Sequence, residues 1–295
     1  MGDIDDYLVN KIFTVPYIDK LIESKIAPDS FIRCVKRYEK KNDITYGKAI
    51  SEIYHYLDKN YRNEYFFKNT IFNKLLLDKH NLYSTSALTE LPIGESKVDL
   101  VMINGKGIAY EIKTDLDNFN RLPTQISDYY KLFCYVNIVV GAKNYKRAKE
   151  FLMDVPVGIY VLYDNGNLLC RKRAVYYNEG LSYDAIFNVL RKKEFESIIL
   201  KHYGRLPNVN SFKYYRECLA WIKKINIKTF QKEAMDVLKK RTLLVINEVE
   251  QKFEDIVPYE LSFYTYFTKK IVLTIIKFQN FGIKEWRCNY VLSIF

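Results

Sequence analysis

The segment 96-SKVDLVMINGKGIAYEIK-113 predicts a β-hairpin. Its two apolar-rich halves are joined by the residues 104-NGKG-107, and an Asn-Gly pair between alternating apolar residues is the strongest short-range hairpin signal. Because side chains alternate along a strand, Glu111 and Lys113 lie on one face of the second strand. If Asp99 of the first strand shares that face, the hairpin brings two carboxylates and one ammonium group together.

These charged side chains need a chemical reason, because the faces of such a sheet are otherwise apolar. A carboxylate that leaves water without a partner loses much of its hydration free energy, so buried charges are paired or bind metals. Carboxylate oxygens are the hard ligands that Mg²⁺ and Mn²⁺ prefer. The pattern therefore predicts a divalent metal ion at the hairpin.

The same residues carry a resemblance to a known family. Asp99 followed by Glu111-Ile112-Lys113 resembles the signature of the PD-(D/E)xK nuclease superfamily, with Val98 in place of the proline. The run from Arg121 to Tyr129 extends the likeness to an uncharacterised bacterial and phage branch with the layout D…EIKTD…RLPxQxxxY. The resemblance covers residues 63–140.

This resemblance implies a fold, a reaction and roles for individual residues. The fold would be an α/β restriction-endonuclease-like core, in which a helix, a three-stranded meander, a helix and a strand build a mixed central sheet. The reaction would be metal-dependent hydrolysis of phosphodiester bonds. Asp99, Glu111 and the backbone carbonyl of Ile112 would bind Mg²⁺ or Mn²⁺. Lys113 would orient the attacking water or stabilise charge on the phosphoryl oxygens, and Gln125 would assist catalysis.

Further candidates lie on both sides of the signature. Glu64, at the start of a predicted helix over 63–80, or Glu90, in a predicted strand, would add a metal ligand, although Glu64 suits the first turn of a helix equally well. Gln125 and Tyr129 share a helix face at i,i+4 spacing, and Tyr129 and Arg121 would contact nucleic acid. The ordinary alternatives are a helical stripe that packs in the core and a solvated loop arginine.

Composition narrows the class of partner. The chain has 295 residues, a net charge of +11 and 16% aromatic residues. Positive charge favours a polyanion, and here nucleic acid, although a solvated lysine-rich surface has the same composition. The five cysteines form no CxxC pair, which excludes a typical zinc site and suits a reducing cytoplasm. We expect no membrane partner, since no apolar run approaches the ~20 residues of a membrane helix.

Periodicity predicts three regions. Residues 1–60 are expected to be helical, residues 61–175 to form the nuclease-like α/β core, and residues 176–295 to form a helical C-terminal domain. The last region carries no chemical motif and could dock a protein partner. Many members of the superfamily also act as homodimers.

The sequence therefore predicts a cytoplasmic, metal-dependent nuclease that cuts DNA in preference to RNA, with a link to phage or host defence. The alternative is a catalytically silent module on the same fold that binds nucleic acid or another protein.

Overall fold

The computed structural model of the chain describes residues 3–23, 28–38, 44–78, 84–243, 257–268, 280 and 282. They form an α/β structure with a six-stranded mixed sheet, which confirms the predicted α/β class and the mixed sheet, while the restriction-endonuclease-like core stays a prediction. The chain divides into two compact units: Met1–Leu77 with Glu248–Phe295, and Asp78–Asn247. The three regions predicted with boundaries at residues 60 and 175 group the chain differently, and they stay a prediction.

Along the chain, the described helices come before, between and after the strands of the sheet. Short stretches of 3-10 helix precede α7 and α12, and residues Phe72–Leu77 continue α5 as a π-helix. Helices α1 to α5 and α12 belong to the first unit, and α6 to α11 belong to the second. None of the described helices is long and apolar enough to cross a membrane. The helices are α1 (Asp3–Ile12), α2 (Val15–Glu23), α3 (Asp29–Tyr38), α4 (Tyr46–Asn60), α5 (Glu64–Ile71), α6 (Leu122–Tyr130), α7 (Tyr145–Phe151), α8 (Tyr183–Val189), α9 (Lys192–Tyr203), α10 (Ser211–Ile222), α11 (Ile227–Leu243) and α12 (Ser262–Thr268).

All six strands of the sheet lie in the second unit. Their order in the sheet is their order in the chain. Strand β3 pairs with β4 and β4 with β5 in parallel, and the other neighbours are antiparallel. The strands are β1 (Ser86–Ile93), β2 (Ser96–Ile103), β3 (Gly107–Lys113), β4 (Tyr135–Gly141), β5 (Gly158–Leu162) and β6 (Leu168–Lys172).

The predicted hairpin is formed by β2 and β3. Ile103 pairs with Gly107, and the amide of Asn104 donates to the carbonyl of Lys106 at 3.1 Å. Gly105 has φ +70°, a backbone conformation that glycine adopts without the steric cost of a Cβ atom. The Asn-Gly signal therefore located the turn correctly.

Two crossovers place helices beside the parallel strands. Helix α6 connects β3 to β4, and α7 connects β4 to β5. The apolar run over 135–142 predicts a central strand beside that of Glu111, and the pairing of Ile112 with Val139 confirms this. Helix α6 is thereby brought to the end of β3, where the charged residues lie.

The hydrophobic core of the second unit extends from the sheet into the helices that follow it. Ala109 of β3 shares one buried cluster with Phe195 of α9 and with Phe230 and Met235 of α11. A Cβ atom added to Gly107 would overlap the sulfur of Met235, so β3 and α11 pack in close contact. Residues beyond 175 are thus part of the core that supports the sheet.

Candidate functional site

Strand β3 ends in a buried ion pair. Glu111 is 2% exposed and Lys113 is 8% exposed. The ammonium nitrogen Nζ of Lys113 lies 2.8 Å from Oε1 of Glu111, as expected for i and i+2 residues on the same face of a strand. Because both charges are removed from water, their partners inside the protein decide whether this arrangement is stable.

Helix α6 supplies those partners. Oε1 of Gln125 accepts a hydrogen bond from Nζ of Lys113 at 2.9 Å, and Nε2 of Gln125 donates to Oε1 of Glu111 at 2.5 Å. One turn later, the hydroxyl of Tyr129 is hydrogen-bonded to Oε2 of Glu111 and lies 2.7 Å from the carbonyl oxygen of Lys97. The i,i+4 pair on α6 therefore faces the strand pair, as its spacing suggested.

The hydrogen bonds leave Glu111 with acceptor capacity. An ionised carboxylate offers about four lone-pair sites. Oε1 accepts from Lys113 and Gln125, and Oε2 accepts from Tyr129. One site on Oε2 remains for a further ligand without loss of any of these bonds.

Tyr129 is a permanent hydrogen-bond donor in this network. Burial raises the pKa of its hydroxyl far above the usual value, and the negative charge of Glu111 raises it further. The side chain is fully buried. Direct contact of Tyr129 with nucleic acid, which the sequence analysis predicted, does not fit this burial, and the residue instead holds the carboxylate of Glu111.

Asp99 lies across the hairpin from this network. Leu100 pairs with Tyr110 near the end of the hairpin ladder, and continuation of this register places Asp99 opposite Glu111. Oδ2 of Asp99 accepts a hydrogen bond from the backbone amide of Ile112 at 2.7 Å. The side chain of Asp99 thus satisfies a backbone amide near the end of β3 and is held next to the backbone between Glu111 and Lys113.

Glu90 joins Asp99 from strand β1. Carboxylate oxygens of the two residues lie within 4.8 Å of each other. Glu90 has φ +52°. Strands β1 and β2 pair on either side of this residue, at Thr89 with Leu100 and at Leu91 with Val98. A left-handed residue other than glycine inside a strand is strained, and such strain is common where a side chain is held for function.

The other predicted ligands and contacts are Glu64, Arg121 and the backbone carbonyl of Ile112. Among the described residues, Glu111 does not join Glu90 and Asp99 in a mutual 4.8 Å group. Glu64 belongs to the first unit, where it starts α5 and pairs with Lys68 at 2.6 Å. Arg121 is exposed and precedes the first residue of α6. Its contact with phosphate and the roles of Glu64 and of the Ile112 carbonyl stay predictions.

Asp128, which is not among the residues predicted from the sequence, ties α6 to the β1–β2 turn. Its carboxylate accepts from Oγ of Ser96 at 2.7 Å, from the amide of Glu95 at 3.2 Å and from Nζ of Lys131 at 2.7 Å. Gly94 has φ +60°, and a Cβ atom there would overlap this carboxylate. The signal was an acidic residue among the apolar positions of α6, three residues after Gln125.

The electrostatics of Asp128 fit this structural role. Its side chain is buried, and burial alone would raise the pKa of the carboxyl group. Hydrogen bonds from Lys131 and Ser96 outweigh burial and lower that pKa below the usual value. Asp128 therefore holds its charge and fixes the helix that carries Gln125 and Tyr129.

The comparisons with known proteins give one family. A family model described as bacteriophage P4 protein cII matches residues 58–256, a range that includes all residues of this network. No curated protein and no solved structure matches the chain.

Proposed function

The chain belongs to the family of bacteriophage P4 protein cII, and we propose that it works as a metal-dependent nuclease that hydrolyses phosphodiester bonds, with DNA favoured over RNA. The observation that carries this proposal is the buried network of Glu111, Lys113, Gln125 and Tyr129 beside the carboxylate of Asp99. The phage family supports the linked proposal of a role in phage biology or host defence.

The donor set suits Mg²⁺ or Mn²⁺. Asp99 and Glu111, which the register places opposite each other, would hold the ion. Glu90, whose carboxylate lies near that of Asp99, would add a third donor if the Glu111 carboxylate turns towards them, because Glu111 is not within 4.8 Å of both. These are hard oxygen donors, and the set includes neither a thiolate nor an imidazole. When bound, the metal would lower the pKa of a coordinated water and offset the charge of the scissile phosphate.

Lys113 is the proposed source of electrostatic stabilisation. A fixed ammonium group stabilises negative charge that develops on a phosphoryl oxygen, and its effect is larger where water is excluded. The carboxylate of Glu111 and the amide oxygen of Gln125 hold Nζ of Lys113 in place. Gln125 thus acts on catalysis by positioning the lysine.

Cleavage assays with paired variants test the proposal. We expect purified protein to cut plasmid or single-stranded DNA in Mg²⁺ or Mn²⁺ and not in EDTA, and Glu111→Gln and Lys113→Met to lower the rate at least ~100-fold. The matched controls Glu95→Gln and Lys97→Met change exposed side chains nearby and should keep the rate. Native-like thermal midpoints of the two inactive variants would exclude unfolding as the cause.

A catalytically silent nucleic-acid-binding module is the second candidate. It is favoured by the inward-facing hydrogen bonds of Glu111, because Lys113, Gln125 and Tyr129 already satisfy most of its carboxylate, as in a purely structural ion pair. Such a module would retain DNA with a steep dependence on salt. Retention of DNA and RNA by wild-type protein without cleavage of either, in Mg²⁺ and in Mn²⁺, would replace the nuclease proposal with this one.

A further inference from the structure

A small cavity lies at the opposite end of strand β3 from the carboxylates. Its volume is about 240 Å³, and its lining includes Lys106, Lys228 and Lys232 together with Tyr135 and Tyr176. None of the described residues that line it is acidic. The cavity is therefore a cationic site.

The three lysines come from two separate elements. Lys106 lies in the β2–β3 turn, and Lys228 and Lys232 lie at i,i+4 spacing on α11. None of them forms an ion pair with another described residue. Like charges at i,i+4 spacing destabilise a helix, and a third ammonium group at the same cavity adds to the repulsion. A bound anion would offset this repulsion.

Two aromatic rings form another part of the cavity wall. Nζ of Lys106 lies 4.3 Å from the centre of the Tyr135 ring. The rings of Tyr135 and Tyr176 are 5.7 Å apart at 63°, and Tyr176 is 51% exposed. A partly exposed tyrosine beside ammonium groups offers a face to a planar base while the lysines take a phosphate.

We infer that this cavity binds the phosphate of a nucleotide, with the base against the tyrosine rings. Gly107, at the cavity, and Lys113 are the two ends of β3, so about 20 Å of strand separate this site from the ion pair of Glu111. The site is distinct from the proposed nuclease centre and does not depend on it. The phosphate could belong to a free mononucleotide or to the 5′ end of a nucleic-acid strand.

Calorimetric titration of the full chain with AMP in EDTA tests the inference, because chelation removes the metal on which the nuclease proposal depends. We expect saturable binding of AMP, at least ~10-fold tighter than binding of adenosine. The double variant Lys228→Met/Lys232→Met should weaken AMP binding by at least ~10-fold. Lys240→Met, an exposed lysine on the same helix, is the matched control and should leave the affinity within about 2-fold.

Further measurements distinguish a free mononucleotide from a strand end as the source of the phosphate, and they distinguish this site from the proposed nuclease centre. A 5′-phosphorylated oligonucleotide that binds tighter than its 5′-hydroxyl form, without binding of AMP, would assign the site to strand ends. Glu111→Gln should bind AMP like wild type even if it abolishes cleavage. Equal affinity of AMP for wild type and the double variant, or no phosphate-dependent binding of either ligand, would overturn the inference. If the double variant unfolds, Lys106→Met in the exposed turn provides the same test.

Discussion

Glu90 has a φ angle of +52°, in the left-handed region that residues other than glycine rarely occupy. The sequence around it, 88-LTEL-91, alternates like an ordinary strand, so nothing in the pattern shows this strain. The strained residue lies inside the sheet, between the pairs of Thr89 with Leu100 and Leu91 with Val98, and its carboxylate approaches Asp99. The sequence thus predicts Glu90 as a candidate ligand, a role that stays a prediction, and it gives no sign of the backbone conformation of this residue.

Replacement of Glu90 by glycine should raise stability and lower metal affinity together. Glycine adopts positive φ without strain, so we expect Glu90→Gly to raise the free energy of unfolding by about 1 kcal/mol. Loss of the carboxylate should raise the Mg²⁺ concentration for half-maximal cleavage about 10-fold. Thr89→Gly, at a neighbouring strand position, should destabilise by about 1 kcal/mol, as glycine does in regular strands. A destabilised Glu90→Gly with unchanged metal dependence would contradict the role of this residue.

Among the elements, α6 shows where sequence periodicity is sufficient to predict a helix, and the break between α8 and α9 shows where it is not. The segment after the turn at Pro123 predicts a helix over 124–134, which corresponds to α6, and the continuous apolar run over 135–142 predicts a buried strand, which corresponds to β4. Helical periodicity also predicts one long helix over 183–203, but the structure has two helices there, α8 and α9. Arg191 caps the start of α9, where its backbone amide donates to the side chain of Glu194. Arginine is not one of the usual capping residues, so the sequence carries no standard signal for this helix start. The apolar periodicity of the sequence continues across the break between α8 and α9, so this periodicity could not reveal the break.

Asp128 attaches α6 to the β1–β2 turn. Removal of the charge of Asp128 should therefore lower the stability of the protein by an amount that depends on pH. At pH 7, Asp128→Asn should lower the free energy of unfolding by about 1–3 kcal/mol, because the bonds from Ser96 and Lys131 lose a charged acceptor. The folded-state pKa of Asp128 lies below its usual value, which is near 4 in unfolded chains. Its stabilisation is therefore complete above about pH 4 and is lost as the pH falls through the folded-state pKa.

Urea unfolding at several pH values measures this effect. The difference between wild type and Asp128→Asn should be largest near neutral pH and should shrink below about pH 4. Asp236→Asn, an exposed position on α11, serves as the control and should change stability by less than ~0.5 kcal/mol. A difference that stays constant from pH 7 to pH 3 would show that the charge of Asp128 is not what holds the turn.

At the scale of the molecule, the α/β class followed from the order of periodic segments, but the extent of the folding unit did not. The texture changes near residue 176 from strands to helices, which suggested a separate helical domain. Helical periodicity shows that a face is apolar and not which surface covers it. In the structure, Phe195, Phe230 and Met235 join the buried cluster of the sheet.

This shared core predicts how fragments of the chain behave. A fragment of residues 78–175 would expose the apolar sheet residues that share one buried cluster with side chains of α8–α11, and each large buried side chain contributes about 1.5–3 kcal/mol. Loss of several such contacts exceeds the total stability of a typical domain, about 5–15 kcal/mol. We therefore expect the fragment of residues 78–247 to melt cooperatively in calorimetry and that of residues 78–175 to show no transition. A cooperative transition in the shorter fragment would mean that the sheet folds without the helices, as the predicted boundary at residue 175 requires.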